Sequence, residues 1–274
     1  MSYKIICTDI DGTLLDKNRE LSAQTIKEIN RIKNRVPIVL VSSRMPKAMR
    51  HIQKTLGIEH FPIISYNGGL ILTYDDNQVS PKTLLTIPIS FDIPKSIYQR
   101  TQNTNIHVSL YLDDNWYVEN IDYWASREIN NTKVNPTVIN FNKILSLWKR
   151  NKQGPHKIMC MGPETEVDEL EQSVQKDFHE HLNIYRSKST YLELSSKLIS
   201  KATAMEKLLN VHMGYKLNEA IAFGDNYNDI EMLKAVGLGI AVSNGNDYLK
   251  SIADEITLSN IEDGVAVSIK KYFI

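Results

Sequence analysis

Short apolar runs alternate with helical patterns at both ends of this 274-residue chain, and this alternation constrains the fold more than any other feature. Near the start, apolar runs at residues 3–8, 36–41 and 61–66 are separated by segments whose apolar residues recur every three or four positions. The last third repeats the pattern, with strand-like runs at 219–223 and 239–242. Strand, helix and strand at this spacing predict βαβ units and a parallel sheet. We therefore expect both ends of the chain to form one α/β domain.

The middle of the chain, residues 82–188, has a different texture. It is richer in Asn, Thr and aromatic residues, and its strand-like runs alternate polar and apolar positions. Two such runs flank the Asp-Asp-Asn segment at 113–115, which predicts a hairpin, and alternation is typical of antiparallel sheet. We expect an inserted α+β domain at 82–188, and a core domain formed by residues 1–81 and 189–274.

The composition excludes several classes of protein. Lys and Arg together number 32, as do Asp and Glu, so there is no basic surplus to attract nucleic acid or an anionic membrane. Cys7 and Cys160 lie in separate apolar runs and offer neither a disulfide framework nor a C-x-x-C pair. The chain enters its first strand by Tyr3 without a signal-peptide pattern, and it has no run of ~18 apolar residues. We expect a cytoplasmic protein in a reducing compartment.

Two carboxylates follow the first predicted strand, in the segment Asp9-Ile10-Asp11-Gly12-Thr13. Ligands of open parallel sheets bind beyond the carboxyl ends of the strands, which is where this segment falls. A turn or a helix cap is the alternative interpretation of D-x-D-G alone. The wholly apolar strand before it favours a ligand site.

A second acidic cluster, Gly-Asp-Asn-Tyr-Asn-Asp at residues 224–229, also follows an apolar strand. Its two acids, Asp225 and Asp229, are four positions apart. If Asp229 begins a helix, both carboxylates can face one cation. An Asn- and Asp-rich turn is the alternative for this cluster alone.

Smaller signals lie at other strand ends and helix starts, and each alone is explained by a helix cap, a turn or a solvated lysine. They are Ser42, Ser43 and Arg44, then Asn67 and Gly68, and finally Lys201. Taken with the acidic clusters, they indicate a phosphoryl-transfer site. Four gathered acids require a compensating cation, hard oxygen ligands select Mg²⁺, and an ammonium and a hydroxyl bind phosphoryl oxygens.

These residues resemble the motifs of the haloacid dehalogenase superfamily of phosphohydrolases, and within it the Cof-like, type IIB sugar phosphatases, over essentially the whole chain. The family's first motif, D-x-D-G-T, matches residues 9–13, and its fourth, G-D-x-x-N-D, matches 224–229. Its hydroxyl motif falls on Ser42, its lysine motif on Lys201, and its N-G turn on 67–68.

The chain departs from the family pattern at two points. The segment 42–44 is Ser-Ser-Arg where the branch usually has T-G-R, and Ala202 follows the lysine where glycine is common. The element order predicted for the insert, which includes a strand at 157–161 and a helix at 164–178, is similar to the family's C2B cap. The resemblance therefore implies a Rossmann-like parallel-sheet core with an inserted α+β C2B cap domain.

The resemblance also implies a Mg²⁺-dependent phosphatase that hydrolyses small phosphomonoesters, above all sugar phosphates. Asp9 would attack phosphorus to form an aspartyl-phosphate, and Asp11 would act as general acid and then general base. Mg²⁺ would be held by Asp9, the backbone carbonyl of Asp11 and Asp225, with Asp229 in support. The implied phosphate-binding residues are Ser42, Lys201, Thr13 and Asn228, and the implied substrate-proximal residues are Ser43, Arg44, Asn67 and Gly68.

Two other functions remain open from the sequence. A sugar phosphomutase uses the same aspartate pair and returns the phosphoryl group to sugar, whereas a non-catalytic sensor only binds a phosphorylated ligand. We expect the partner to be a small phosphorylated metabolite, with no nucleic acid or membrane, and the protein to be a monomer or weak dimer. His107, Tyr111 and Trp116 are possible sugar contacts, but aromatic residues in alternating strands more often serve packing.

Overall fold

The computed structural model describes residues 3–74 and 81–274, which fold into two compact units. The first contains residues 3–44, 49–74, 81–85 and 200–274, and the second contains 45–48 and 86–199. The strands are β1 (Ile5–Thr8), β2 (Ile38–Val41), β3 (Ile63–Ser65), β4 (Leu70–Thr73), β5 (Lys82–Thr86), β6 (His107–Leu112), β7 (Asn115–Val118), β8 (Thr137–Val138), β9 (Lys157–Met161), β10 (Leu182–Lys188), β11 (Tyr191–Ser196), β12 (Ala220–Gly224), β13 (Leu238–Val242) and β14 (Glu255–Thr257). The α-helices are α1 (Ala23–Ile32), α2 (Lys47–Leu56), α3 (Ile93–Arg100), α4 (Tyr123–Thr132), α5 (Phe141–Asn151), α6 (Glu164–Phe178), α7 (Lys201–Lys207), α8 (Ile230–Ala235), α9 (Asp247–Ile252) and α10 (Gly264–Tyr272). Among the described residues, no helix combines the length and the apolar character needed to cross a membrane.

The first unit is built on a sheet with the strand order β14-β13-β12-β1-β2-β3-β4-β5. The pairs from β14 through to β3 are parallel, and β4 pairs antiparallel with β3. The residues of β1, β2, β12 and β13 are all buried, as expected where helices cover both faces of a parallel sheet. The predicted Rossmann-like α/β core is confirmed.

The carboxyl ends of β1 and β12 form the switch point of this sheet. The chain leaves β1 toward β2 and β3, and it later returns on the other side of β1 with β12. Thr8 is paired with Phe223 in the parallel register, so the acidic segments that follow the two strands begin at the same edge. Ligands of doubly wound sheets bind in the crevice at such a point.

The second unit is built on a six-stranded sheet with the order β10-β11-β9-β6-β7-β8. Its pairs are antiparallel apart from β7 with β8. Helices α3, α5 and α6 share an apolar core with one face of this sheet. Helix α4 packs on the sheet at β6. His107, Tyr111 and Trp116 are buried, which agrees with a packing role. The expected inserted α+β domain is present.

The limits of the two units differ from the predicted 82–188. Strand β5 lies beside β4 in the first sheet, so the long segment of the second unit starts only at the last residue of that strand, Thr86, and residues 45–48 also belong to this unit. Strand β11 hydrogen-bonds to both β9 and β10, so residues 189–199 belong to the second unit and not to the core. Strand pairing sets these limits, and the change in composition along the chain does not show which strands pair.

His156, which precedes β9, is a buried histidine of the second unit with both ring nitrogens engaged. Its Nδ1 accepts a hydrogen bond from the backbone N–H of Asp113 at 3.1 Å, and its Nε2 lies 2.9 Å from the hydroxyl of Thr86. Burial lowers the pKa of His156 to about 4. The ring is therefore neutral in the folded protein at pH 7.

This histidine is expected to make the protein sensitive to acid. Because the folded pKa lies below the unfolded value, the unfolded chain binds a proton first, and stability is lost as the pH falls from about 6.5 toward 4. Between pH 7 and pH 4.5 the unfolding free energy of the wild type should fall by ~2 kcal/mol more than that of His156→Gln. Urea titrations of both proteins at the two pH values measure this, and equal losses would contradict the assignment.

Candidate active site

Lys201 joins two acids at the carboxyl edge of the first unit's sheet. Its ammonium lies 2.5 Å from Oδ1 of Asp9 and 2.7 Å from Oδ1 of Asp229, and all three side chains are at least nine-tenths buried. Ser200 caps α7 by accepting the N–H of Thr203, which places Lys201 in the first turn of that helix. Asp9 follows β1, and its N–H continues the parallel ladder by donating to the carbonyl of Phe223.

The charges of this trio are strongly coupled. Burial alone would lower the pKa of Lys201, but the carboxylates of Asp229 and Asp9 outweigh it and raise that pKa above its usual range. Burial raises the pKa of Asp9 well above its usual range, the ammonium of Lys201 opposes the rise, and the neighbouring acids add to it. Lys201 therefore stays protonated, and the carboxylates around its ammonium outnumber it.

Asp225 adds a third carboxylate to Asp9 and Asp229. One oxygen from each of the three lies within 4.8 Å of the others, and this group could hold a metal ion. Burial, followed by the charge of Asp229, raises the pKa of Asp225 to about 7, while the hydroxyl of Thr13, 2.8 Å from Oδ1, lowers it. Carboxylate oxygens are hard donors that suit Mg²⁺ or Ca²⁺, so the donor set fits a divalent cation.

Asp229 is held in place through both of its oxygens. Oδ1 accepts from Lys201, and Oδ2 accepts the backbone N–H groups of Asp225 and Asn226 at 3.1 and 3.0 Å. A Cβ on Gly224 would lie 2.5 Å from the Cβ of Asp229, so only glycine allows this close approach. Asp229 therefore braces the loop that carries Asp225, and it ends a short 3₁₀ turn before α8.

The loop after β1 also approaches Asp225 so closely that it requires a glycine. Gly12 has φ +84°, and a Cβ there would lie 2.4 Å from Oδ2 of Asp225. The side-chain amide of Asn244 donates to the carbonyl of Gly12 at 2.8 Å, and the N–H of Asn246 donates to the carbonyl of Asp225 at 2.9 Å. Neither asparagine was predicted from the sequence, although the Ser-Asn-Gly-Asn segment that follows β13 is another polar turn at a strand end.

Asp11 turns toward a basic partner. Its two oxygens accept hydrogen bonds from Nε and Nη2 of Arg44 at 2.6 and 2.7 Å, and Nη1 of Arg19 lies 3.6 Å from Oδ1. Arg44 is buried, whereas the Asp11 side chain is 39% exposed. A bidentate arginine fixes the plane of a carboxylate. Arg44 is thus placed against Asp11, a contact that the sequence did not predict, and Arg19 was missed entirely.

The remaining predicted residues line neighbouring loops. The hydroxyl of Ser42 accepts the N–H of Arg44 at 3.2 Å, and the carbonyl of Ser42 accepts the N–H of Asn67 at 3.0 Å. The side-chain amide of Asn228 donates to Oδ1 of Asn67 at 3.1 Å, which ties the second acidic cluster to the Asn-Gly turn. Ser43 lies half-buried in the Ser42 loop, and Gly68 is buried in the turn.

Together these features define an α/β enzyme of the parallel-sheet class, with an acidic site and a buried lysine at the switch point. A family model described as haloacid dehalogenase-like hydrolase matches residues 6–269, and the chain belongs to that family. The family prediction is therefore confirmed, and with it the prediction of a phosphohydrolase.

Named relatives and a solved structure agree with this membership. A Haemophilus influenzae protein named "Putative phosphatase" is 30% identical over 100% of this chain and 99% of its own length. The 5-amino-6-(5-phospho-D-ribitylamino)uracil phosphatase YcsE of Bacillus subtilis is 29% identical over 100% of this chain and 97% of its own. The crystal structure of a haloacid dehalogenase-like hydrolase from Bacteroides thetaiotaomicron, 28% identical, superposes with a TM-score of 0.88 and covers 99% of this chain and 100% of that one.

Proposed function

We propose that this protein is a Mg²⁺-dependent phosphatase that hydrolyses small phosphomonoesters, sugar phosphates among them, through an aspartyl-phosphate intermediate. The observation that carries the proposal is the buried contact of 2.5 Å between Lys201 and Asp9, beside two further carboxylates. A carboxylate that attacks a phosphate dianion must be held ionised and must overcome like-charge repulsion. The ammonium of Lys201 contributes to both, because it opposes the rise in the pKa of Asp9 that burial causes.

The three carboxylates would have different roles in binding a cation. Asp9 and Asp225 would bind it directly, with the backbone carbonyl of Asp11, whereas both oxygens of Asp229 already accept hydrogen bonds and would support the site. When bound, Mg²⁺ supplies positive charge that offsets the acids and the phosphoryl oxygens. The excess of carboxylates over ammonium in this cluster is what supports the assignment.

The chemical steps belong to Asp9 and Asp11. Asp9 attacks phosphorus in line, and the P–O bond to the leaving group breaks as Asp11 gives that oxygen a proton. Asp11 then takes a proton from water, which attacks the aspartyl-phosphate and releases inorganic phosphate. Lys201, Ser42, Thr13 and Asn228 would steady the transferring group or the loops around it. Asp11 must exchange its contact with Arg44 for the ester oxygen before it can act.

The substrate is expected to be a small phosphorylated metabolite. The name of the YcsE relative describes a phosphate ester on a ribityl chain, which supports phosphate carried by a polyol or sugar as the class to test first. A location in the cytoplasm is part of the proposal, and the free, buried thiols of Cys7 and Cys160 support a reducing compartment.

Phosphate release from a panel of compounds tests the proposal. The panel holds sugar and polyol phosphates, nucleotides and p-nitrophenyl phosphate, each with and without Mg²⁺. Metal-dependent release, with the highest kcat/KM for sugar or polyol phosphates, is expected. An isomeric sugar phosphate without free phosphate would identify a phosphomutase instead, and binding without turnover of any compound would identify a sensor.

Mg²⁺ binding is expected to weaken as the pH falls. Since the pKa of Asp225 is about 7 in the metal-free protein, a proton occupies this carboxylate below pH 7 and must leave before the cation binds. The Mg²⁺ concentration that gives a fixed rise in Tm should be about tenfold higher at pH 6 than at pH 8. Thermal melts over a Mg²⁺ series measure this without turnover. Asp225→Asn should abolish the response at both pH values, and a rise in Tm that needs the same Mg²⁺ concentration at pH 6 and pH 8 would contradict the role of Asp225.

A further inference from the structure

A third loop lies against the two acidic loops of the first unit. It is the segment Asn244-Gly245-Asn246, which follows β13 and precedes α9. Because the strand order is β13-β12-β1 and these pairs are parallel, the loop leaves the sheet at the same edge as the loops that carry Asp9 and Asp225. The segment contains no carboxylate, so it can act on the site only through the other two loops.

This segment holds one backbone carbonyl of each acidic loop. The side-chain amide of Asn244 donates to the carbonyl of Gly12 at 2.8 Å, and the backbone N–H of Asn246 donates to the carbonyl of Asp225 at 2.9 Å. Gly245 lies so close that a Cβ there would be 3.0 Å from the same carbonyl of Asp225. Both acidic loops are therefore anchored to the same three residues.

The amide of Asn244 is fixed at both of its ends. Its Nδ2 donates to Gly12 while its Oδ1 accepts the backbone N–H of Asn260 at 2.9 Å, which uses the donor and the acceptor of a carboxamide together. Asn244 is an exposed residue, so these two hydrogen bonds, and not burial in a core, determine where its amide points. The side chain of Asn260 in turn donates to the carbonyl of Leu15 at 2.7 Å, so residues 12–15 are held at both ends.

The two acidic loops have little freedom to move relative to each other. A Cβ on Gly12 would lie 2.4 Å from Oδ2 of Asp225, and the hydroxyl of Thr13 donates to Oδ1 of Asp225 at 2.8 Å. A shift of the Gly12 carbonyl therefore changes the contact between Thr13 and Asp225, and it also displaces the adjoining Asp11. Displacement of reacting groups by about 1 Å can cost on the order of a hundredfold in rate.

We propose that Asn244 is a positioning residue that sets the distance between the loop of Asp9 and Asp11 and the loop of Asp225. Its hydrogen bonds go to backbone groups, so it acts through the carbonyl of Gly12. The proposal rests on the proposed phosphatase function, in which Asp9 and Asp11 react beside a cation that Asp225 helps to hold. Loss of a group that orients metal ligands typically lowers metal affinity or activity by about 10–100-fold.

The test compares two variants at Asn244 with two controls in the full chain. Asn244→Ala removes both hydrogen bonds of the amide, whereas Asn244→Asp keeps the size and the acceptor but replaces the donor to Gly12 with an oxygen. Ser243→Asp places the same negative charge on the exposed neighbouring residue. Asn218→Ala removes an exposed amide of the same unit that precedes β12, at the opposite end of that strand from the acidic loop.

The kinetic arm uses ribitol 5-phosphate and p-nitrophenyl phosphate at saturating Mg²⁺. Both Asn244 variants should lower kcat by roughly ten- to hundredfold with either ester and change KM by less than about threefold, and both controls should keep the kcat of the wild type. A loss confined to KM or to one ester would indicate a contact with the substrate. Wild-type kcat in Asn244→Asp would show that the donor to Gly12 is dispensable. Either result overturns the proposal.

The binding arm consists of thermal melts over a series of Mg²⁺ concentrations without substrate. For the same rise in Tm, both Asn244 variants should need about tenfold more Mg²⁺ than the wild type and the controls. A lower Tm with an unchanged Mg²⁺ response and an unchanged kcat would mean that the amide only stabilises the fold, which overturns the proposal. If the wild type responds to Mg²⁺ but hydrolyses no ester, the proposed function fails and the melts alone decide the role of Asn244. A wild type that shows neither response overturns both.

Discussion

Asp9→Asn is expected to reduce phosphate release by at least about 10⁴-fold while the protein remains folded. An amide oxygen is a poor nucleophile and carries no charge for Lys201 to hold, so the aspartyl-phosphate cannot form. The loss should appear in kcat for every substrate of the panel, whatever its leaving group. Measurement of kcat with p-nitrophenyl phosphate and ribitol 5-phosphate at saturating Mg²⁺ tests it.

The same substitution should cost little stability. Burial raises the pKa of Asp9, which means that its ionised form is costly in the folded protein, and a neutral amide removes that cost. Lys201 keeps its contact with Asp229. We expect an unfolding free energy within about 1 kcal/mol of the wild type, or above it.

Two further substitutions provide comparisons for Asp9→Asn. Asp247→Asn makes the same chemical change at a fully exposed side chain of the first unit, and it should leave activity unchanged. Asp11→Asn should also abolish turnover, because an amide cannot give or take the proton. Turnover by a pure preparation of Asp9→Asn within tenfold of the wild type would exclude Asp9 as the nucleophile.

The sequence was most informative where short-range pattern and sheet topology coincide. The end of a continuous apolar strand can be located in the sequence. Acids that directly follow two such strands lie close together when the strands are neighbours in the sheet, as Asp9 and Asp225 do. In the second unit, the strand at 157–161 and the helix at 164–178 have the predicted bounds, because each has a clear period and a clear stop. Local periodicity decided these elements.

The features that the sequence did not predict depend on contacts between distant segments. The two hydrogen bonds from Arg44 to Asp11 depend on the directions of side chains in two loops, and the spacing of residues in the sequence does not predict those directions. Strands β4, β5 and β14 and helix α9 are short, and two of the strands lie at the edges of the sheet, where few residues are buried and the apolar signal is weak. Asn244 and Asn246 look like ordinary turn residues until the strand order β13-β12-β1 brings their loop beside the two acidic loops.

Lys201→Met is expected to impair both catalysis and folding. Without the ammonium, Asp9 and Asp229 become two buried carboxylates with no cation between them, which should lower the unfolding free energy by ~3 kcal/mol at pH 8. The loss should be smaller at pH 5, because Asp9, whose pKa is already raised, then takes up a proton and removes the repulsion. Turnover should fall at least about a thousandfold, since the phosphoryl group and Asp9 lose the same cation.

Lys207→Met is the matched control, because Lys207 is an exposed lysine on the same helix α7. It should leave stability and turnover close to those of the wild type. If Lys201→Met does not fold, the double variant Lys201→Met with Asp229→Asn removes the stranded charge and should recover stability without recovering turnover. Urea unfolding at pH 8 and pH 5 separates these cases. A Lys201→Met protein as stable as Lys207→Met at pH 8, with turnover within tenfold of it, would show that the buried lysine neither supports the acids nor serves the reaction.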